Sequence, residues 1–199
     1  MKAYVCTRYG PPEVLQLQDM AKPIPQGGEI LIKVMATTVT SADWRVLSAC
    51  LPRGFGLLGR LALGFSRPLQ PVLGSELAGV VESVGKGVHH FKAGDAVLAL
   101  PDTAVGCHAQ YKCLPENAMV LPKPGNLSFE QAAALSFGGM TALDMLRKGR
   151  LVRGNKILVV GASGAVGTAA VQPFRCRSHG CLQHGQRGAG EVIGCGAGH

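Results

Sequence analysis

Short, mostly apolar segments rich in β-forming residues, separated by polar and turn-forming residues, dominate the first hundred residues. They read KAYVC at 2–6, EILIKVMATTV at 29–39, ELAGVVESVG at 76–85 and DAVLAL at 95–100. Segments of this kind predict β-strands, and the turn signals GKG and KAGD lie between the later segments. Strands at this spacing predict a partly closed antiparallel barrel.

The hydrophobic period changes near Ser128. Ser128 and Gln131 have the spacing of a capping box, and the residues from 129 to 151 follow a helical period. The next segment, NKILVVGA at 155–162, is a continuous apolar run between helix-breaking residues. Such a run predicts a strand buried on both faces of a parallel sheet.

A glycine-rich segment follows that predicted strand and opens a predicted helix. It consists of Gly161, Ala162, Ser163, Gly164, Ala165, Val166 and Gly167. Residues without bulky side chains let the backbone approach a pyrophosphate, and the N–H groups at the start of the helix meet its charge. The alternative is a strand-to-helix turn that needs glycine only for packing.

Four stretches of the chain together resemble a known family. They are VTSADWRV at 39–46, the long segment at 71–99 that begins PVLGSELAGV, the segment at 106–143 that begins GCHAQY, and ILVVGASGAVG at 157–167. The chain resembles the zinc-independent branch of the medium-chain dehydrogenase/reductases, which are quinone-oxidoreductase-like enzymes. The resemblance implies NADP, or NAD, as the cofactor, whose reduced form NADPH or NADH transfers a hydride to a quinone, an enone or a similar carbonyl acceptor. In this family, substrate and nicotinamide meet in a cleft between two domains.

The resemblance also implies a fold class and its domain bounds. We expect an α+β chain, with a GroES-like antiparallel barrel at 1–125 followed by the start of an α/β Rossmann domain at 126–172. The cofactor site of such a domain needs both mononucleotide halves of the sheet, and only one is recognisable. The alternative to an enzyme is therefore a non-catalytic, truncated GroES-like fragment.

The segment at 173–199 differs in composition from the rest of the chain. It holds Cys176, Cys181 and Cys195 among the seven cysteines of the chain and has almost no periodicity. The codons that can encode this segment were also read one nucleotide later. In that frame they can encode an amino-acid sequence that resembles the second strand and helix of the family's Rossmann domain. We therefore expect an out-of-frame, disordered tail. The residue that distinguishes NADP from NAD would lie in this segment.

The resemblance assigns roles to four residues. Asp43 and Trp44 would lie near the nicotinamide, and Thr141 would approach the cofactor. His108 would donate a hydrogen bond to a developing oxyanion. The alternatives are that Asp43 caps the helix that begins with DWRVL, that Thr141 is an ordinary helical residue, and that His108 is a hydrogen-bonded surface residue.

Metal ligands are replaced in this sequence. Zinc-binding relatives carry a cysteine and a histidine where this chain has Thr40 and Ser75. Because hydroxyls are poor ligands for catalytic zinc, we expect no metal. Cys107, His108 and Cys113 lie on a predicted strand and point to alternating faces, which favours ordinary packing over a second metal site.

The charge and the aromatic content of the chain limit the classes of partner that we expect it to bind. The chain has 20 Lys and Arg residues against 12 Asp and Glu, and only 5% of its residues are aromatic. Without a run of like charges, this predicts no nucleic-acid partner; an anionic cofactor and a small-molecule substrate suit the charge. No export signal or membrane-length apolar run is visible, and the unpaired cysteines fit a cytoplasmic protein. The family is usually homo-oligomeric, but we expect its assembly surface to be missing here.

The segment from Leu47 to Gln70 is long, apolar and rich in glycine. It either lines a pocket for a bulky apolar acceptor or covers the end of the barrel.

Overall fold

A computed structural model describes residues 1–50, 61, 63–65, 67–101, 105–151, 156–175 and 191–194. The chain forms two compact units, Met1–Ala133 and Ala134–His199. The strands are β1 Lys2–Cys6, β2 Leu15–Asp19, β3 Glu29–Thr37, β4 Leu77–Val84, β5 Ala96–Ala99, β6 Tyr111–Pro115, β7 Val120–Pro122, β8 Lys156–Val159 and β9 Glu191–Gly194. The helices are α1 Ser41–Leu47, α2 Phe129–Lys148 and α3 Ala165–Arg175.

The first unit is built on antiparallel sheets, as the β-rich segments predict. Its five-stranded sheet has the order β6-β3-β4-β5-β7, and β1 pairs with β2 in a separate hairpin. Isolated bridges from Ala3 to Ala109 and from Val5 to Val72 join β1 to other segments of the unit. The predicted GroES-like antiparallel half-barrel is confirmed.

A large buried cluster of the first unit lies on one face of the five-stranded sheet, and a smaller buried cluster lies on its other face. Ile30 and Ile32 of β3 are fully buried and pack with Leu77, Val97 and Leu114 of the neighbouring strands. The antiparallel pairing of β3 with β4 has register shifts at two points, and such shifts increase the local twist of the strands. The sheet therefore curls, and the end of β3 leads directly into the turn before α1.

Helix α2 begins where the sequence predicts it. The backbone N–H of Gln131 donates to Ser128 Oγ at 3.2 Å, and the backbone N–H of Ser128 donates to Gln131 Oε1 at 3.0 Å. This confirms the predicted capping box. Among the helices that the structure describes, none combines the length and the apolar content needed to cross a membrane.

The strand and helix around the glycine-rich segment are present in the second unit. β8 is followed by a turn over 160–163, and α3 begins at Ala165. The predicted burial of β8 on both faces of a parallel sheet is wrong. Leu158 is 60% exposed and Val160 is 80% exposed. In the described part of the unit, the backbone of β8 pairs with β9 alone, and this pairing is antiparallel. One antiparallel neighbour cannot cover both faces of a strand, which explains the exposure.

The predicted tail at 173–199 is described only in part. Helix α3 continues to Arg175, and β9 lies within the tail at Glu191–Gly194. The rest of the tail, including Cys176, Cys181 and Cys195, lies outside the described residues. The domain bounds and the out-of-frame origin of this segment stay predictions.

Candidate functional site

Thr40 and Asp43 form the cap that starts α1. The carboxylate oxygen Oδ2 of Asp43 accepts hydrogen bonds from the backbone N–H of Thr40 at 2.8 Å and from its hydroxyl at 2.7 Å. The Thr40 hydroxyl oxygen in turn accepts from the backbone N–H of Asp43, so both halves of a capping box are present. The helix therefore begins at Ser41, two residues ahead of the predicted start at Asp43.

The second carboxylate oxygen of Asp43 accepts a hydrogen bond from a residue that is distant in the sequence. Its Oδ1 accepts a hydrogen bond from the backbone N–H of Gly74 at 2.9 Å, and Asp43 is only 8% exposed. A buried carboxylate is retained where hydrogen bonds replace its lost hydration. Asp43 thus joins the start of α1 to the segment before β4, in addition to capping the helix.

Gly74 lies directly against the imidazole of His108. The backbone of Gly74 has φ +97°, and a Cβ at this position would lie 2.6 Å from His108 Cδ2. The carbonyl of Gly74 accepts hydrogen bonds from the backbone N–H groups of Gly106 and Cys107. Only glycine fits both the backbone angle and the contact, so the Cδ2 edge of the ring lies directly against the backbone of Gly74.

The imidazole of His108 has a defined partner. Its Nε2 lies 2.9 Å from the carbonyl oxygen of Thr38. A carbonyl can only accept, so Nε2 carries a proton and donates it. In the neutral ring Nδ1 is then an acceptor, and the predicted donor role belongs to the doubly protonated ring, in which Nδ1 carries a second proton.

Three residues of this arrangement, Thr37, Thr38 and Glu76, were missed in the sequence. Glu76 is only 4% exposed, and its carboxylate accepts a short hydrogen bond from the hydroxyl of Thr38. The hydroxyl of Thr37 donates to the backbone carbonyl of Glu76 at 2.8 Å. The available signal was one acidic residue directly before the apolar run LAGVV, since a carboxylate is seldom buried without partners.

A cavity of about 720 Å³ opens beside these residues in the first unit. Asp43, Trp44 and His108 line it together, so three predicted site residues meet in one place. Most of the other lining side chains are apolar; they are contributed by β1, β2, the end of β3 and α1, and include Leu15, Leu17, Met35, Val39 and Leu73. A largely apolar cavity with few polar groups is typical of a small-molecule site.

Trp44 is the single tryptophan of the chain. It is 52% exposed and lies on α1, one residue after the buried Asp43. Its indole therefore presents a large apolar surface to the cavity while the neighbouring carboxylate stays within the capping hydrogen bonds.

The predicted pocket-lining segment from Leu47 to Gln70 is anchored at its ends. Leu47 lines the cavity, and its carbonyl accepts a hydrogen bond from the backbone N–H of Gly10 at 2.9 Å. The hydroxyl of Tyr9 lies 3.0 Å from the carbonyl oxygen of Leu63 and 2.8 Å from that of Gly64. Residues 51–60, 62 and 66 of this segment lie outside the described residues.

The thiols of Cys107 and Cys113, which are near His108 in sequence, lie within the packed first unit. Cys107 is fully buried in the core cluster of the first unit, and this burial raises the pKa of its thiol to about 12. Burial also raises the pKa of Cys113 on β6. Zinc binds thiolates, which such pKa values disfavour near neutral pH. Throughout the described residues, no three His, Cys, Asp or Glu side chains come together in a group that could hold a metal ion.

The seven residues of the predicted pyrophosphate loop stay together in the second unit. Gly161 has φ +74°, and the backbone N–H of Gly164 donates to its carbonyl at 2.9 Å. A Cβ at Gly167 would lie 2.2 Å from the Gly161 carbonyl oxygen, whereas a Cβ at Gly164 would meet only that oxygen, at 3.4 Å. Gly167 is thus required by the turn itself, and Gly164 has open space above its exposed backbone.

Helix α3 begins immediately after Gly164. The first N–H groups of a helix have no partner within that helix, so the backbone of Ala165 and Val166 can donate to an anion. Thr168 ties the helix to the loop, because its hydroxyl donates to the Ala162 carbonyl at 3.1 Å. The side chain of Ser163 is exposed beside them.

Helix α2 passes close to this helix start. A Cβ on Gly138 would lie 2.8 Å from the carbonyl oxygen of Ala165. The absence of a side chain at Gly138 therefore lets the two helices approach each other, and α2 continues through the Gly-Gly pair at 138–139. Thr141, the predicted cofactor-contacting residue, is half-buried one turn further along α2.

Comparison with known proteins gives the family. The family model "Alcohol dehydrogenase GroES-like domain" matches residues 26–154. The chain is 37% identical to a quinone oxidoreductase of Rattus norvegicus over 193 residues, which are 96% of this chain and 54% of that protein. The chain spans about half the length of the curated relatives it matches.

Solved structures agree with the sequence relatives. The quinone oxidoreductase from Coxiella burnetii superposes with a TM-score of 0.76 at 30% identity, covering 88% of this chain and 53% of that one. Mycobacterial Rv1454c complexed with NADPH superposes with a TM-score of 0.70 at 29% identity, covering 89% of this chain and 50% of that one. The antiparallel half-barrel with its apolar cavity is a GroES-like domain of the alcohol dehydrogenase type. The chain belongs to the medium-chain dehydrogenase/reductase superfamily, together with the quinone oxidoreductases.

Proposed function

We propose that the chain contains the acceptor site and the pyrophosphate loop of an NAD(P)H-dependent oxidoreductase that reduces a quinone, an enone or a similar carbonyl compound. The observation that carries the proposal is the 720 Å³ apolar cavity where Asp43, Trp44 and His108 meet. The relative from Rattus norvegicus bears the name quinone oxidoreductase, which supports this class of acceptor.

The lining of the cavity supports an uncharged, planar acceptor. Trp44 offers an aromatic face, and Leu17, Met35 and Val39 add apolar surface that is at least half exposed. Burying such surface against a flat apolar ring is favourable by about 25 cal/mol per Å². The polar group that an acceptor carbonyl would meet is then a side chain at the edge of the cavity, such as His108.

The glycine loop has the features that a pyrophosphate needs. Gly164 leaves its exposed backbone open, and the N–H groups at the start of α3 can meet the negative charge. We propose that Gly161 to Gly167 hold the pyrophosphate and that Thr141 and Trp44 contact the cofactor. When bound, NADPH or NADH supplies a hydride. The structure of Rv1454c complexed with NADPH supports NADPH as the first cofactor to test.

His108 is proposed to move a proton during the reaction. A carbonyl that accepts a hydride at carbon also needs a proton at oxygen. The doubly protonated ring of His108 would donate the proton on Nδ1 to that oxygen and keep the proton on Nε2, which is bonded to Thr38. Asp43 would act by position, because its oxygens hold the start of α1 through Thr40 and hold Gly74, which lies against the ring.

We propose that this chemistry uses no zinc. The hydroxyl of Thr40, at the position of a cysteine ligand in zinc-binding relatives, is bonded to Asp43 in the helix cap. Elemental analysis of the purified chain checks this proposal, with less than about 0.1 equivalent of zinc expected. One zinc per chain that survives dialysis against a chelator would contradict it.

The function is tested with NADPH and 1,4-naphthoquinone. Calorimetric titration of the purified chain with NADPH measures binding, and the loss of absorbance of NADPH in the presence of the quinone measures reduction. We expect Gly164→Val to abolish both, because the branched side chain would fill the space above the loop. Titration with NADH under the same conditions determines which of the two cofactors is preferred.

The matched control is Gly125→Val. Gly125 is exposed, and a Cβ there would meet no atom within 4 Å. It makes the same change at a glycine outside the loop and should leave both measurements unchanged. If the parent chain neither binds NADPH nor reduces the quinone, the proposal fails, and the non-catalytic GroES-like fragment is the function that remains.

A further inference from the structure

We infer that Glu76 is a positioning residue: through Thr38, it fixes which nitrogen of His108 keeps its proton. The imidazole, Thr38 and Glu76 form one continuous set of hydrogen bonds in the first unit. The use of this set in catalysis rests on the proposed function, whereas the protonation pattern of the ring can be measured without any cofactor.

Thr38 is the centre of the arrangement because it makes two bonds with different groups. Its backbone carbonyl accepts from His108 Nε2 at 2.9 Å, and its side-chain hydroxyl donates to the carboxylate of Glu76. A residue held by its side chain cannot rotate its peptide plane freely. The carbonyl oxygen therefore stays aimed at the ring and keeps the proton on Nε2.

Glu76 is itself held on both its backbone and its side chain. The hydroxyl of Thr37 donates to its carbonyl at 2.8 Å, and Leu77, the next residue, pairs with Thr37 between β3 and β4. Two consecutive threonines at the end of β3 thus bind the residue that precedes β4. Since Glu76 is buried, its carboxylate has little alternative hydration to draw it away from Thr38.

The Cγ–Cδ2 edge of the ring lies directly against Gly74. A Cβ on Gly74 would lie 2.6 Å from Cδ2 and 3.0 Å from Cγ, so no side chain fits between this residue and the ring. Nε2 faces Thr38, which leaves Nδ1 and Cε1 as the free edge of the ring. In this set of hydrogen bonds, Nε2 is therefore held by the protein, and Nδ1 is the nitrogen that can exchange a proton with a ligand in the cavity.

The arrangement distinguishes a positioning role from mere stability. If Glu76 only stabilised the fold, its replacement would lower the free energy of unfolding and leave the ring protonated on Nε2. If it positions Thr38, its replacement changes the ratio of the two neutral tautomers of His108. The tautomer ratio is therefore the informative measurement.

The test uses the full chain with 15N-labelled histidine in alkaline solution, where the imidazole rings are neutral. Proton-coupled nitrogen spectra report which ring nitrogen carries the proton, and His108→Gln assigns the signals. In the parent chain, we expect His108 to be protonated on Nε2. Thr38→Val, which removes the hydroxyl and keeps the carbonyl, should raise the fraction protonated on Nδ1 by at least about threefold.

Conservative variants should rescue the ratio. Thr38→Ser keeps the hydroxyl and Glu76→Gln keeps an accepting oxygen, so both should resemble the parent chain. Glu76→Met should shift the ratio in the same direction as Thr38→Val. The control is Glu82→Gln on β4, the strand that follows Glu76, because Glu82 pairs with Lys22 at the surface and its replacement should have no effect.

Two results would overturn the inference. One is a parent ring protonated on Nδ1; the other is a parent-like ratio in Thr38→Val. Thr38→Val keeps the test decisive if Glu76→Met does not fold. A chain that fails to reduce the quinone but shows these tautomer shifts would refute the proposed function and leave the positioning role intact.

Discussion

The backbone N–H of Gly74 donates to Asp43 Oδ1 at 2.9 Å, across 31 residues of sequence. This bond connects the start of α1 to the glycine that closes one edge of the His108 ring. The position of the imidazole in the cavity thus depends on a carboxylate that makes no bond with it in the described contacts. Changes at Asp43 or Gly74 should therefore affect both the stability of the first unit and the state of His108.

Replacement of Asp43 by alanine should destabilise the first unit strongly. The change leaves the backbone N–H groups of Thr40 and Gly74 without their acceptor in a buried place. We expect a loss of about 3 kcal/mol in the free energy of unfolding, measured with urea. Asp43→Asn, which keeps one accepting oxygen, should lose about half as much.

The control for Asp43 is Asp144→Asn. Asp144 is exposed on α2 and pairs with Lys148 four residues later. Exposed pairs of this kind contribute about 0.3–0.5 kcal/mol. If Asp43→Ala costs no more than this control, the buried hydrogen bonds of Asp43 are not important for stability.

Gly74→Ala should be more damaging than Gly87→Ala. Both glycines have positive φ, +97° and +82°, so alanine is strained at each. Gly87 has no atom within 4 Å of a Cβ, whereas Gly74 has His108 at 2.6 Å. We expect about 1 kcal/mol of destabilisation at Gly87 and about 3 kcal/mol at Gly74.

A second measurement separates strain from displacement of the ring. The carbon and nitrogen chemical shifts of His108 should change in Gly74→Ala and stay constant in Gly87→Ala. Equal destabilisation by the two variants, with an unchanged His108 signal, would show that the ring does not depend on Gly74.

Cys107 should make stability depend on alkaline pH. Burial raises the pKa of its thiol to about 12, so the folded chain keeps the proton after the unfolded chain has lost it. The stabilisation is complete below the unfolded pKa of about 9 and is lost as pH rises towards 12. Between these values the free energy of unfolding should fall by up to about 1.4 kcal/mol per pH unit from this group.

The comparison for Cys107 is Cys107→Ala, measured by urea unfolding at several pH values between 7 and 10. Alanine creates a small cavity and lowers stability at every pH, but it removes the titrating group. The slope of stability against pH should therefore become flatter. An identical slope in the variant would mean that the thiol does not contribute.

Gly167→Ala should loosen the start of α3. A Cβ at this position would lie 2.2 Å from the Gly161 carbonyl oxygen and 2.7 Å from Ala162 Cα, and both of these are backbone atoms that must shift. Hydrogen exchange of the amides of α3 should accelerate by more than about tenfold. Gly164→Ala, with its nearest contact at 3.4 Å, should accelerate exchange by less than about fivefold. The expectation fails if the two variants exchange at equal rates.

Local features were predictable from the sequence because a few neighbouring residues decide them. Ser128 and Gln131 bind each other across three residues, and the β-rich segment at 29–39 contains the strand β3. The positions of Asp43, Trp44 and His108 in one cavity were expected from the family resemblance and not from periodicity.

The parts that could not be predicted depend on distant contacts. His108 lies 70 residues from Thr38, and nothing in the local pattern shows which ring nitrogen meets that carbonyl. The apolar run of β8 predicts burial on both faces, but burial is decided by the neighbouring elements and not by the strand itself. Glu76 was missed because Thr37 and Thr38, with which it forms hydrogen bonds, lie far before it in the sequence.

The anchors of the segment between Leu47 and Leu63 have a consequence for the diversification of this site. Gly10 holds the segment where it leaves α1, and Tyr9 holds it where it returns, so neighbouring residues of one short loop fix both ends. The cost of closing a loop rises slowly with its length, by about 0.6 kcal/mol per doubling. The length and composition of the intervening residues can therefore change while the two anchor points stay in place. Exchange of this one segment would thus leave the hydrogen bonds around His108 as they are.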